Sequence, residues 1–312
     1  MISDRSTSGR RSFPRSADHI SPITHNRTPK ARWLIAALLA LSLSTGVTTV
    51  AHAQADTIGP PIPLFTYRDA VLAGSVVVAT VIAKPFDERI AARLQDSSTQ
   101  DSRRIQRLAT FVRTVATPGS YYIGVSMYAA GRLTDHDRLA DVGLHGTEAL
   151  IIGEAVGGVI KAVVGRQRPS VLPRNASSYQ LGRGLRSDIF RSFPSGHTTS
   201  AFAAAAAVSS ETSRFWPGTR WVIGPILYTG AALTGVSRMY NNRHWMSDVL
   251  VGAGVGTFAG LKVVRYQHSH PGNRIDRWLL KGSLSPAPGG GQALQWSIVP
   301  APAAFTFTTP RR

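Results

Sequence analysis

Apolar runs broken by short polar or Pro/Gly segments dominate the chain between residues 70 and 264. They read as helices, and the alternation expected of strands is weak throughout. The run 70–83 stops at Lys84-Pro85, because proline cannot donate within a continuing helix. A polar helical stretch at 86–94 and a loop at 95–102 follow. Ile105, Leu108, Phe111, Val112 and Val115 then recur at helical spacing among Arg103, Arg104, Arg107 and Arg113, until Pro118-Gly119 breaks the pattern. A short apolar run at 121–130 precedes a longer one at 144–164, whose strong charges are Glu148, Glu154 and Lys161. A loop rich in Arg, Ser and Gly occupies 165–193, and further apolar runs cover 197–209, 221–236 and 246–264. The expected fold is an all-α bundle of about six main helices.

A helix that crosses a bilayer needs about 20 mostly apolar residues. The runs 197–209 and 221–236 are shorter than that, and the mean hydropathy of −0.02 is modest. The runs 70–83, 144–164 and 246–264 carry few charges, and charges near their ends can snorkel. Gly252, Gly254, Gly256 and Gly260 suit close packing of spans. The bundle is therefore expected to be membrane-embedded, with a soluble periplasmic helical domain as the alternative.

The ends differ from this body. Residues 33–50 are apolar and uncharged, follow Lys30 and Arg32, and lead into Ala51-His52-Ala53 and Ala53-Gln54-Ala55. A positive flank, an apolar stretch and Ala-x-Ala read as an export signal, so residues 1–55 are expected to be a leader cleaved after Ala53 or Ala55. Pro60, Pro61 and Pro63 stiffen the entry to a domain at 56–270. Residues 271–312 have Pro, Gly and Ser stretches and little periodicity, which suggests a poorly structured tail; 294–309 is richer in β-formers.

The 312 residues contain no cysteine, which excludes disulfides, thiolate nucleophiles and cysteine-ligated metals. The formal net charge is +18; the leader contributes +5 and the remainder +13. A body this basic either keeps itself soluble or attracts anions such as phosphate, lipid headgroups or nucleic acid. No nucleic-acid recognition module is visible, so no specific nucleic acid is expected.

Three clusters carry candidate chemistry. In KAVVGRQRP, Lys161 and Arg168 lie about two turns apart and would share a face if the helix continued. An ammonium on an apolar helix needs water or an anion, and a guanidinium fork suits phosphate oxygens. In PSGH, Pro194 and Gly196 form a turn that feeds a helix starting near His197. Its first N–H groups can receive an anion, and Ser195 adds a hydroxyl. In SRMYNNRHWMSD, Arg238 precedes His244, and Asp248 follows four residues later. If helical, His244 and Asp248 share a face, and the carboxylate can hold one imidazole nitrogen while the other attacks. Each cluster alone also fits ordinary helix capping or surface pairing. Together they supply three cations, an anion-receiving turn and two histidines, without carboxylate-cluster or His-x-x-x-His metal spacing.

The chain resembles the type 2 phosphatidic acid phosphatase superfamily, which is related to bacterial class A acid phosphatases and vanadium haloperoxidases. The motifs KAVVGRQRP, PSGH and SRMYNNRHWMSD occur in family order and spacing, over roughly residues 65–265. The resemblance implies that His244 is the nucleophile forming a phosphohistidine, that Asp248 orients it, and that His197 protonates the leaving group. Lys161, Arg168, Ser195, Gly196 and Arg238 would cradle the phosphate. It further implies a phosphatase without metal or cofactor, acting on a phosphorylated lipid or small phosphate ester. The implied location is a bacterial cell membrane, with the site facing the periplasm or exterior. The alternatives are a soluble periplasmic non-specific acid phosphatase and a non-catalytic anion-binding membrane protein.

Overall fold

The computed structural model describes residues 63–270, Asn273 and the short segments 282–286 and 292–296. The expected export signal lies outside the described residues. Helix α1 (Tyr67–Ala83) starts where Asp69 reaches back to accept from the Thr66 N–H at 2.6 Å, which satisfies a donor that has no helical partner. After a turn through Lys84-Pro85, α2 (Asp87–Leu94) follows. Ser97–Gln100 is a single helical turn inside the stretch expected as a loop. Helices α3 (Arg103–Thr114) and α4 (Ser120–Leu133) are separated by an irregular segment around Pro118. Helix α5 (Asp137–Val164) begins seven residues before the apolar run that announced it. Helices α6 (Gly196–Phe215), α7 (Arg220–Tyr240) and α8 (Met246–Ser269) complete the bundle. In the tail, Gly282–Pro286 pairs antiparallel with Gln292–Trp296, so a small hairpin occupies part of the segment expected to lack structure. The second strand begins close to where β-forming residues become frequent.

Helices α5, α6 and α8 pack on one another at the centre. Helix α7 rests on α6 and α3, α4 rests on α5, and α1 rests on α8. The central core is built from small side chains: Ala149, Ala203 and Ala207 are fully buried beside Val263 and Val264. Small residues let helix backbones approach closely and gain dispersion contacts. Gly256 marks a close approach of α8 to α6, where an added Cβ would sit 2.2 Å from the Thr199 carbonyl oxygen. Gly254 faces the other way, where a Cβ would meet Val76 of α1. The glycine stripe of α8 therefore serves two neighbours. The helical stretch Tyr67–Leu94, which runs from α1 into α2, and α8 are both long and apolar enough to cross a membrane, yet only 6% of the apolar window in the first is buried against 72% in α8. Helix α8 is the bundle's axis, and α1 lies on its outside.

Gly256→Ala is expected to lower stability by about 1–3 kcal/mol, because the obstructing atoms are backbone and cannot rotate away. Gly158→Ala, where an added Cβ meets nothing within 4 Å, is the matched control. Thermal unfolding of the two variants in the same detergent should show a lower midpoint for the first alone.

Candidate active site

The loops at one end of the bundle converge on a cavity of about 410 Å³. Helix α5 ends there. Gly165 adopts a left-handed φ of 58°, its N–H reaches the Lys161 carbonyl, and a Cβ would collide with the Gln180 carbonyl. The helix thus stops between Lys161 and Arg168, which meet at the cavity through the turn and not along one helical face. Lys161 is buried and donates to the Pro194 carbonyl at 2.5 Å. Arg168 donates to the Asp188 carbonyl and to Asp188 Oδ1, at 3.0 and 2.8 Å. Arg238, in the last turn of α7, is buried, and its Nε has no hydrogen-bond partner among the described residues. An orphaned buried guanidinium nitrogen is costly unless an anion completes it.

Gly196 and His197 open α6 and line the same cavity, where the first N–H groups of the helix lack carbonyl partners. Ser195 does not reach the cavity wall. It is fully buried, its Oγ accepts from the Thr198 hydroxyl at 2.8 Å, and its N–H donates to the Asp248 carbonyl at 3.0 Å. Among these contacts it holds the turn in place and leaves Gly196 as the exposed surface.

His244 sits in the connection between α7 and α8, two residues before α8 begins at Met246, so the helical condition for its sharing a face with Asp248 is not met. Its Nδ1 is 2.6 Å from the Ser192 carbonyl oxygen. A carbonyl can only accept, so Nδ1 carries the proton and Nε2 carries the lone pair. The Asp248 carboxylate lies 3.9 Å from Nδ1, beyond hydrogen-bond range. The sequence reading had this carboxylate hold the ring; here a backbone carbonyl does, and Asp248 fixes the two segments around it. Asp248 Oδ2 accepts from the Ser192 hydroxyl at 2.6 Å and from the Trp245 N–H at 2.9 Å. Burial, followed by the charges of Lys161, Arg238 and Arg168, pushes the His244 pKa well below its ordinary value.

Beneath the cavity lies a network that the sequence reading missed. Arg166 is completely buried and donates to Asp248 Oδ1 at 2.5 Å, Ser247 Oγ at 2.7 Å and Asp87 Oδ2 at 2.7 Å. Its remaining donors meet the Ala176 carbonyl. Asp87 in turn accepts from the N–H and hydroxyl of Ser247. Arg166 falls between the specified residues of the first motif and Asp87 lies 79 residues away, so spacing gave no cue. Also missed were Arg191 and Arg243 on the cavity wall, with Thr117, Tyr121 and Glu154. Five cationic side chains thus face one carboxylate, Glu154, which is engaged by the Ser200 hydroxyl.

Arg166→Met should destabilise the protein by about 3–5 kcal/mol, because it strands two buried carboxylates. A thermal midpoint equal to that of the parent would contradict the network's role. For His244, imidazole ¹⁵N spectra assigned against His244→Gln should show the neutral Nδ1–H tautomer persisting as pH falls through 6.5. The sign follows from the depressed pKa: the charged form appears only at lower pH. A midpoint at or above 6.5 would contradict it.

Residues 144–270 match the family described as PAP2 superfamily. The lipid A 1-phosphatase of Porphyromonas gingivalis is 49% identical over 90 residues, which is 28% of this chain and 19% of that protein. The chain thus spans about a fifth of the length of that curated relative. Two solved structures were also found. The PAP2-type transmembrane phosphatidylglycerolphosphate phosphatase of Bacillus subtilis aligns with a TM-score of 0.36 at 18% identity, over 67% of this chain and 99% of its own. LpxE of Aquifex aeolicus aligns with a TM-score of 0.33 at 24% identity, over 51% and 86%. Residues 144–270, the stretch that matches the PAP2 superfamily, carry all three motifs and most of the cavity wall.

Proposed function

We propose that this protein is a phosphatase that hydrolyses the phosphate ester or pyrophosphate group of a lipid through a phosphohistidine on His244. The observation that carries this reading is the fixed tautomer of His244 on the wall of a strongly cationic cavity. The substrate phosphate would dock against Lys161, Arg168, Arg238 and the first N–H groups of α6. Nε2 of His244 would attack phosphorus as the bond to the leaving oxygen breaks, and His197 would protonate that oxygen. Positive charge developing on the phosphorylated ring would be eased by the Ser192 carbonyl and by Asp248 behind it. Water, surrendering its proton to His197, would then attack phosphorus, release phosphate and restore His244. The fixed cations supply the electrostatic stabilisation that phosphoryl transfer requires.

The lipid reading rests on the bundle's outer surface. Val71, Val77, Val78, Val81 and Ile82 on α1 are exposed, as are Ile151, Ile152, Val156, Val159 and Val163 on α5. Trp221, Val222 and Ile226 on α7 extend the pattern to another helix. Apolar cover on that scale suits hydrocarbon and not water. The relative from Porphyromonas gingivalis, named for lipid A, adds weight to a phosphorylated lipid. The export-type leader favours a site on the periplasmic or outer side of a bacterial membrane.

Assays of detergent-purified protein with phosphorylated lipids and with para-nitrophenyl phosphate test the proposal. His244→Ala should lower kcat by roughly 10³-fold or more while leaving the unfolding midpoint unchanged. Turnover equal to the parent's would remove His244 from the mechanism. Turnover absent from the parent itself would favour the non-catalytic anion-binding alternative. Monodisperse behaviour without detergent, with activity confined to soluble esters, would favour the periplasmic acid phosphatase.

A further inference from the structure

A second cluster of chemistry-bearing side chains lies at the opposite end of the bundle. Glu211 comes fourteen residues after His197 on α6, about 21 Å along the axis. His145 comes sixteen residues before Lys161 on α5, about 24 Å, and His268 twenty residues after Asp248 on α8, about 30 Å. Three helices that converge on the phosphate cavity at one end therefore bring two imidazoles and a carboxylate together at the other. His145 Nδ1 is 2.5 Å from Glu211 Oε1, and His268 Nε2 is 2.8 and 2.9 Å from the two Glu211 oxygens. One donor atom from each residue lies within 4.8 Å of the others. Glu211 and His145 are completely buried, and the side chain of His268 is 20% exposed.

We propose that His145, Glu211 and His268 bind one first-row divalent transition-metal ion of the zinc class. A buried carboxylate needs a compensating positive charge. The ion pairs Glu211 makes among the described residues are with these two histidines, which are cationic only when protonated. A divalent ion supplies the charge and accepts all three donors. Two nitrogens and one carboxylate form a three-ligand set of the kind zinc takes, with a fourth position for water. A set dominated by imidazole disfavours calcium and magnesium, which take oxygen ligands. The geometry is already close. Two imidazoles bound to one tetrahedral ion have ring centroids roughly 5 Å apart; here they are 5.5 Å apart with the planes at 87°. The hydrogen-bonded contacts need only widen by less than about 1 Å to admit an ion at bond lengths near 2.1 Å. Phe215 packs its ring edge near His268 at 6.4 Å, which restricts that imidazole's rotation. The bound ion would fasten the far ends of α5, α6 and α8, the central helices that also carry Lys161, His197 and Asp248.

The test uses full-length protein in detergent, without a polyhistidine tag, stripped with a chelator, incubated with zinc chloride and freed of excess. Elemental analysis should find about one zinc per chain in the parent and in His244→Ala, but less than a tenth of that in His268→Ala. Zinc should raise the parent's unfolding midpoint and leave that of His268→Ala unmoved. X-ray absorption at the zinc edge of the parent, which needs no variant to fold, should show two imidazole nitrogens. Failure of the parent to retain zinc would overturn the proposal and leave the trio a hydrogen-bonded cluster. Zinc retained equally by His268→Ala, or lost in His244→Ala, would place the ion elsewhere and overturn it too.

Discussion

Arg166 bridges two buried carboxylates, and the active end of the bundle is organised around that bridge. It joins Asp87 at the start of α2, Asp248 at the start of α8 and the Ala176 carbonyl in the loop between α5 and α6. One guanidinium with five donors in a rigid fork can satisfy three separate chain segments; a lysine could not. Such a buried arrangement adds little net stability over an apolar replacement of the whole set, but removing one member strands the others. Its contribution is positional. Asp248 then holds Ser192 and Trp245, and Ser192 holds His244. Three hydrogen bonds lead from Arg166 to the His244 ring, with Asp248 and Ser192 as the links between them.

Above that network, the cavity wall is electrostatically unbalanced. Lys161, Arg168, Arg191, Arg238 and Arg243 share one wall, where like charges repel one another. The protein tolerates this because helix ends and loop carbonyls take up the spare donors of Lys161 and Arg168. Burial of the ring, reinforced by the same crowding, pushes the His244 pKa well below its ordinary value.

The small-residue core links this end of the molecule to the other. Ala203, Ala207 and Gly256 allow α6 and α8 to run in close contact. Close packing along α6 and α8 joins the end that holds His197 and Asp248 to the end that holds Glu211 and His268. A displacement at either end would be felt along the same helices, because close-packed interiors transmit strain.

Much of this was legible in the sequence. Helices follow from local periodicity, and the runs at 70–83, 144–164 and 246–264 anticipated α1, α5 and α8 to within a few residues at most of their ends. The residues of the three motifs gather at one cavity or directly behind it. What spacing could not decide was who touches whom. His244 lies four residues from Asp248, yet its hydrogen bond goes to Ser192, 52 residues away. Asp87 meets Arg166 across 79 residues and Glu211 meets His145 across 66. Helical periodicity is a property of neighbouring backbone, and the chain's own letters determine it. Buried hydrogen bonds between distant segments depend on the crossing and depth of packed helices, and only the assembled bundle sets those.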